Sequence, residues 1–311
     1  MATSAMAEPI TVTSAPLGGF QAFGTTTEFG PLSWRGGLVL ASSAQHFGGF
    51  SGLTLDDDCG SLLAVSDAGY WLRADLSYEG DRLSGIAKPE LAPILDAKGN
   101  PPKSKVRNDA EALASIGKGL YLVAFESYPR IGRFNLGRDG FGARFELVKS
   151  PKAMASGPAN GEVESVARLS GGLWNDTYLA ISENNLDSAG NVRGWVWKGV
   201  KTVRFSIARR GPFMVTDAAL LPDGDILILE RSFETLPAMA LARIAVADIK
   251  DGATVEQHLL YEAVAPFYSV DNMEGLAVCQ RDGELRVTLI SDDNFNRNLQ
   301  RTLLLQFALK P

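Results

Sequence analysis

The stretch "SGLTLDDDCGSLLAVSD", residues 51–67, decides the fold. It opens on a polar, a small and an apolar residue, Ser51-Gly52-Leu53. It turns through three aspartates and a glycine, runs into an apolar β-rich segment and ends on a carboxylate, Asp67. Read alone it is one hairpin. Its pattern returns along the chain. The opening triplet recurs as Glu111-Ala112-Leu113, Glu164-Ser165-Val166, Asp217-Ala218-Ala219 and Glu274-Gly275-Leu276, at intervals of 60, 53, 53 and 57 residues. Each copy precedes a strand-like run closing on Glu126, Glu183, Glu230 or Asp292. An all-strand repeat of this length is the mark of a propeller blade. Blades converge on an axis, so their innermost strands are crowded and favour small residues beside the polar one.

Third strands follow as "YWLRADL" (70–76), "RIGRFNL" (130–136), "RGWVWKG" (193–199), "LARIAVADI" (241–249) and "RTLLLQFAL" (301–309). After the last of these the chain stops, so the final blade lacks a strand. The segment "LSWRGGLVLAS" (32–42) is the donor that would close the ring and remove open sheet edges. The expectation is an all-β chain with a single closed β-propeller over residues 32–311 and an amino-terminal extension over 1–31. Five blades are favoured, with a degenerate sixth as the alternative.

Bulk properties narrow the partners. The chain has 311 residues and a net charge of −6, with no basic block suited to a phosphate backbone, so nucleic acid is not an expected partner. No stretch is apolar enough for a transmembrane helix. The tripeptide "AMA" before Glu8 has the form of a signal-peptidase site, without the positive and apolar parts of a leader. The expectation is a periplasmic or secreted protein, and a cytoplasmic one if this end is merely frayed. Cys59 and Cys279 are the two cysteines. They follow the inner strands of the first and last repeats, which are neighbours in a ring. A bridge and two free thiols are both open, and the free thiols are favoured.

The segments "WRGGLVLAS", "FGGFSGLTL", "AVSDAGYWLRADL", "DAEAL", "NMEGLAV" and "LISDDNFNRNLQRTLLLQFAL" resemble the phytase-like domain family, also described as esterase-like activity of phytase. The resemblance runs from about Leu32 to Leu309. It implies a β-propeller acting on a phosphate ester, with calcium.

The residues themselves offer carboxylates. Glu111, Glu164, Asp217 and Glu274 recur at the matched inner position, with Asp109, Glu162 and Asp271 nearby. Like charges directed into one channel repel, and a hard cation bound through oxygen relieves them. These four are the candidate calcium ligands, with Asn160, Asn272 and Asn294 as neighbouring amides. A water-filled channel with solvated or arginine-paired acids is the competing reading. His46 and His258, the only histidines, stand in different repeats and do not suit a zinc or iron site. No G-x-S-x-G elbow is present, and Ser66, Ser182 and Ser291 sit beside carboxylates on strands, where neighbours face opposite sides. Arg73, Arg107, Arg130, Arg231, Arg297 and Arg301 lie near strand ends or rims and could meet phosphate oxygens, with Arg107 and Arg301 as the candidate oxyanion contacts, whereas for Arg297 and Arg301 structural ion pairs with the neighbouring carboxylates are favoured. No clustered basic pocket is visible.

The leading reading is a calcium-dependent hydrolase of small phosphate or other esters, attacking with water. Glu111, Glu274, Arg107, Arg301 and Asp292 are its candidate catalytic residues. One alternative is a lactonase-like propeller with an apolar rim from Tyr70, Trp71, Phe213 and Tyr268. The other is a non-enzymatic propeller that binds a small molecule or serves as a scaffold.

Overall fold

The computed structural model describes residues 7–101, 103–156 and 163–310. Five antiparallel sheets stand in a ring. Their inner strands are Phe50–Leu55, Ala110–Ser115, Val163–Leu169, Met214–Leu220 and Met273–Arg281. Each inner strand abuts the next, and the last abuts the first. The ring therefore has five blades, numbered here in chain order, and among the described residues no sixth is built from the terminal segments.

The closing blade forms as the missing strand demands. Thr302–Leu309 pairs antiparallel with Leu32–Ala41, joining the two ends of the repeat region in one sheet. Residues 7–31 are integral to this closure. Thr13–Pro16 adds a strand outside Leu32–Ala41, and Glu8–Pro9 pairs with the outer strand of blade 1. The segment thus straddles the seam between blades 5 and 1. Phe20 is fully buried, its ring 5.7 Å from Trp34 and 4.9 Å from Phe307. The boundary at residue 32 marks where the repeat pattern starts, not where packing starts.

Alternation along the strands explains where the core lies. Side chains from adjacent sheets interdigitate at each of the five junctions. Leu53 and Ile290 meet between blades 1 and 5, and Val65 and Phe134 between blades 1 and 2. Val166 and Trp195 pack against Leu122 between blades 2 and 3. Near the axis the crowding is steric. A Cβ on Gly52 would lie 2.6 Å from the Leu113 backbone nitrogen of blade 2, and one on Gly275 would lie 3.0 Å from Leu53 of blade 1. These glycines let neighbouring blades touch.

The two cysteines are bridged, with Cα atoms 5.5 Å apart, which corrects the expectation of free thiols. Closure brings the turn after the first inner strand onto the end of the last one. The Gln280 amide donates to the Asp57 carbonyl at 3.0 Å beside the bridge. That approach depends on blade geometry that no local sequence pattern encodes.

Candidate functional site

Every inner strand breaks register at one place. Pairing skips from Phe50 to Gly52, Ala110 to Ala112, Val163 to Ser165, Val215 to Asp217 and Met273 to Gly275. The skipped residues are Ser51, Glu111, Glu164, Thr216 and Glu274. Each is a β-bulge, which leaves one residue out of the ladder and re-aims its side chain. Four of the five, all but Thr216, line a cavity of about 830 Å³ at one mouth of the channel. The second strands end at the same mouth and contribute Asp67, Glu126, Glu183, Arg231 and Asp292.

This register corrects the fourth repeat. Asp217 occupies the position of Gly52, Ala112, Ser165 and Gly275, not that of the channel acids. It does not join the mouth. Its carboxylate accepts from the amides of Ala218 at 2.8 Å and Leu276 at 2.7 Å, tying blade 4 to blade 5. Burial pushes its pKa well up, and these two amide bonds oppose the shift. The residue in the bulge is Thr216, whose hydroxyl donates to the Met273 carbonyl at 3.1 Å. Glu230 is displaced in the same way. It is buried against Arg210 and Gln257, and Arg231 takes the strand-end position. We expect Asp217→Ala to cost about 2–4 kcal/mol, because it leaves two buried amides without an acceptor. Calcium affinity should not change. Urea denaturation and calorimetry check the two halves, and a shift in affinity without destabilisation would refute the assignment.

The mouth divides into two halves. On one side Asp109, Glu111 and Glu126 offer three carboxylate oxygens within 4.8 Å of one another. Asp109 is buried, and its Oδ2 accepts from the Ser127 hydroxyl at 2.6 Å, while its Oδ1 is buried without a hydrogen-bond donor. Burial, then the charges of Glu164, Glu274, Asp109 and Glu126, push the Glu111 pKa well above the carboxylate range. On the other side Arg231 organises the acids. It donates to Glu183 at 2.9 Å, to Asn272 Oδ1 at 2.6 Å and to Glu274. Burial works against its charge, but Glu274, Glu183 and Glu164 hold it firmly protonated. Glu164 is raised well above its ordinary value by burial and by Glu183, with Arg231 opposing. Asn272 also donates to Glu274 at 2.7 Å.

Asp292 and Asp293 face opposite sides of one strand end. Asp292 lines the mouth and accepts from the Asn294 amide at 2.7 Å. Burial first, then the Glu274 charge, push its pKa to about 8. Asp293 sews the seam, its Oδ1 accepting from the amides of Gly49 at 3.1 Å and Phe295 at 3.0 Å. Gly48 and Gly49, both at positive φ, leave the room needed here, since a Cβ on Gly48 would collide with Asp293 Oδ1 and one on Gly49 with Asp67 Oδ1. Asp67 itself bonds Lys105 across the mouth.

The arginine candidates lie elsewhere. Arg301 stands 3.5 Å from Asp271, and Arg297 donates to the carbonyls of Ser42 and Phe47 at 2.7 and 2.5 Å. Arg107 lines a separate cleft. The four proposed rim aromatics are also absent from the mouth. Trp71 is buried at a blade junction, Tyr70 stacks on His46, Phe213 lies beneath Arg210 and Tyr268 packs on Phe20. Asn160 and Glu162 lie outside the described residues. Sequence reasoning named Arg231 only as one of the rim arginines, not as the partner of the channel acids, and missed the pairing of Asp109 with Glu126. A serine before the strand-end charge in blades 1, 3 and 5 was the available signal that Glu230 fills the preceding slot.

A family model described as phytase-like, esterase-like activity of phytase, matches residues 45–295. The chain belongs to the phytase-like family. No curated protein matches it significantly. Among solved structures, a thermostable family-43 glycoside hydrolase aligns at 10% identity over 85% of this chain and 90% of that chain, with a TM-score of 0.46. The propeller domain of Myceliophteria thermophila Cps50 (Swd1) aligns at 9% identity over 94% and 99%, with a TM-score of 0.40. The amino-terminal domain of Nup159 aligns at 9% over 94% and 98%, with a TM-score of 0.38.

Proposed function

We propose that this phytase-like chain is a calcium-dependent hydrolase of small phosphate or other esters, with Asp109, Glu111 and Glu126 as the core of the ion site. One observation carries the reading: three carboxylates from two strands of one blade and the segment entering it converge within 4.8 Å. The donors fit a hard cation. All are oxygens, and among the described residues the buried Asp109 Oδ1 receives no hydrogen bond. Calcium accepts six to eight oxygens in irregular arrangements, so carboxylates completed by water or substrate oxygen suit it. Bound there, the ion would polarise an ester oxygen and ease deprotonation of water.

The protein's own groups have separate tasks. Asp292 keeps a proton at neutral pH and can donate it to a departing alkoxide. Arg231 neutralises Glu183 and Glu274, so the second half of the mouth does not repel an anionic substrate. Lys105 and Arg209 line the cavity as further cations. A highly charged substrate would still meet an excess of acids, which favours small esters. The test is calorimetric calcium titration followed by turnover of phenyl phosphate, a phosphodiester, phenyl acetate and a lactone. Calcium-stimulated hydrolysis of the phosphate ester is expected. Stoichiometric ion binding with no turnover of any ester would leave a ligand-binding propeller instead.

The raised pKa of Asp292 predicts a pH dependence. Its folded value of about 8 lies above the ordinary 3.8, so the calcium-free fold binds an extra proton between those values. The stability contributed is therefore present below about pH 4 and is lost as pH rises through about 8. Asp292→Asn should be more stable than the parent at pH 9 by about 2 kcal/mol. A tenfold change in proton affinity is worth roughly 1.4 kcal/mol, and relaxation around the charged carboxylate offsets much of the total. At pH 4 the two should coincide. Urea titrations in chelator at both pH values check this, and equal gaps at both would refute it.

Export to the periplasm or the medium is part of the same proposal. The Cys59–Cys279 bridge supports it, because structural disulfides persist in oxidising compartments. Free thiols in protein taken from its native compartment would overturn it.

A further inference from the structure

Outside the acidic mouth, blades 1 and 2 enclose a cleft of about 580 Å³ with the opposite charge. Lys98, Lys103, Arg107 and Arg130 line it over an apolar floor that includes Ile94, Phe125 and Phe145. Lys98, Lys103 and Arg107 are close together in the loop after blade 1, and the fold adds Arg130 from the third strand of blade 2. The two sites share a wall. Along residues 105–109 the chain sends Lys105 and Asp109 to the mouth and Arg107 and Asn108 to the cleft. At the end of the second strand Glu126 faces the mouth and Tyr128 faces the cleft.

The cations are held in place but not neutralised. Arg130 donates to the carbonyls of Tyr128, at 2.9 Å, and of Arg107. Its guanidinium lies 4.2 Å from the Phe125 ring centroid and 5.6 Å from that of Phe145. Two of its five N–H groups are thereby used. The Arg107 guanidinium rests 5.7 Å over Tyr128. Among the described residues none of the four cations makes an ion pair, although most arginines elsewhere in the molecule do. Asp96, the one acid in the lining, is committed to its own turn, accepting from the amides of Lys98 and Asn100 at 2.8 Å each. Burial and the Arg107 charge both pull the Arg130 pKa down, as expected for like charges without a counter-ion.

We propose that this cleft is a binding site for a small organic oxyanion, a phosphate or carboxylate group carried on a flat apolar body. The free fork of Arg107 would take two oxygens, with Lys98 and Lys103 adding charge at the rim. The apolar body would lie against the Phe125 and Tyr128 side of the cleft. The site stands on its own residues and does not require the calcium reading.

The test uses the full chain, held in chelator so that the proposed hydrolysis does not consume the ligand, titrated calorimetrically with phenyl phosphate, benzoate and inorganic phosphate. Saturable 1:1 binding of phenyl phosphate is expected, tighter than that of inorganic phosphate. Benzoate distinguishes a general oxyanion site from one selective for phosphate. Arg107→Ala should weaken binding at least tenfold. The doubly substituted Lys98→Ala/Lys103→Ala protein, altered only at exposed side chains, should weaken it several-fold. Calcium affinity should be unchanged in both. Glu111→Gln, which removes an ion ligand, should still bind phenyl phosphate. Binding lost in Glu111→Gln but retained in Arg107→Ala would locate the anion at the acidic mouth instead and overturn the proposal. Absence of saturable binding would overturn it equally.

Discussion

Replacing both cysteines, Cys59→Ala with Cys279→Ala, should cost the protein about 4–5 kcal/mol, the upper part of the range for native disulfides. The bridge spans 220 residues, so it closes a loop that contains most of the chain. In the chain-entropy account, restraining so long a loop in the unfolded ensemble is worth roughly 5 kcal/mol. Its position adds a second contribution. It joins blade 1 to blade 5 across the seam that the Leu32–Ala41 strand also closes. Losing the bridge leaves that junction to strand pairing, the packing of Phe47, Phe50 and Leu304, and the Gln280–Asp57 bond. Both cysteines are buried, so added reductant reaches the bond only after local opening. The double substitution is therefore the cleaner experiment. Urea unfolding should show a lower midpoint with an increased slope, because an unbridged chain expands further on unfolding. Two titratable thiols in the denatured parent protein, without reductant, would refute the bridge.

The legible features were those that repeat. Strand alternation, small residues at Gly52 and Gly275, and the missing last strand all report on local geometry or on counting, and each led to the observed ring. What failed was single-residue register. Asp217-Ala218-Ala219 fits the polar-small-apolar triplet as well as its neighbours do, and nothing local says that Thr216 holds the bulge. A shift of one residue turns a strand side chain to the other face. It converted a supposed ion ligand into a staple between blades and hid Arg231 behind Glu230. The candidate ion site was half visible for a related reason. Glu111 belonged to the repeat, whereas Asp109 and Glu126 meet it only when the chain enters and leaves the blade at one mouth. Charges brought together by loops, such as Lys98 with Arg130, leave no periodic trace at all.

Removing calcium should destabilise the protein by about 3 kcal/mol when compared with protein held at a hundred times the dissociation constant, as ligand linkage requires. The reason lies in which carboxylates face one another. Asp109, Glu111 and Glu126 converge within 4.8 Å beside Lys105, whose own bond goes to Asp67, whereas Glu164, Glu183 and Glu274 surround Arg231. Glu111→Gln should therefore lower calcium affinity by at least about a hundredfold, the scale of removing a charged ligand at about 2.7 kcal/mol. The same change should stabilise the chelated protein, since burial and four neighbouring acids disfavour the Glu111 charge. Glu274→Gln should do the reverse. It weakens a buried charge pair with Arg231, so it should destabilise the fold with or without calcium while changing affinity only a few-fold. The opposite signs of the two substitutions separate an ion site from a solvated acidic channel. Chelator-insensitive melting, with no calorimetric heat and no effect of Glu111→Gln on any calcium response, would remove the ion from the mouth and with it the physical basis for hydrolysis there.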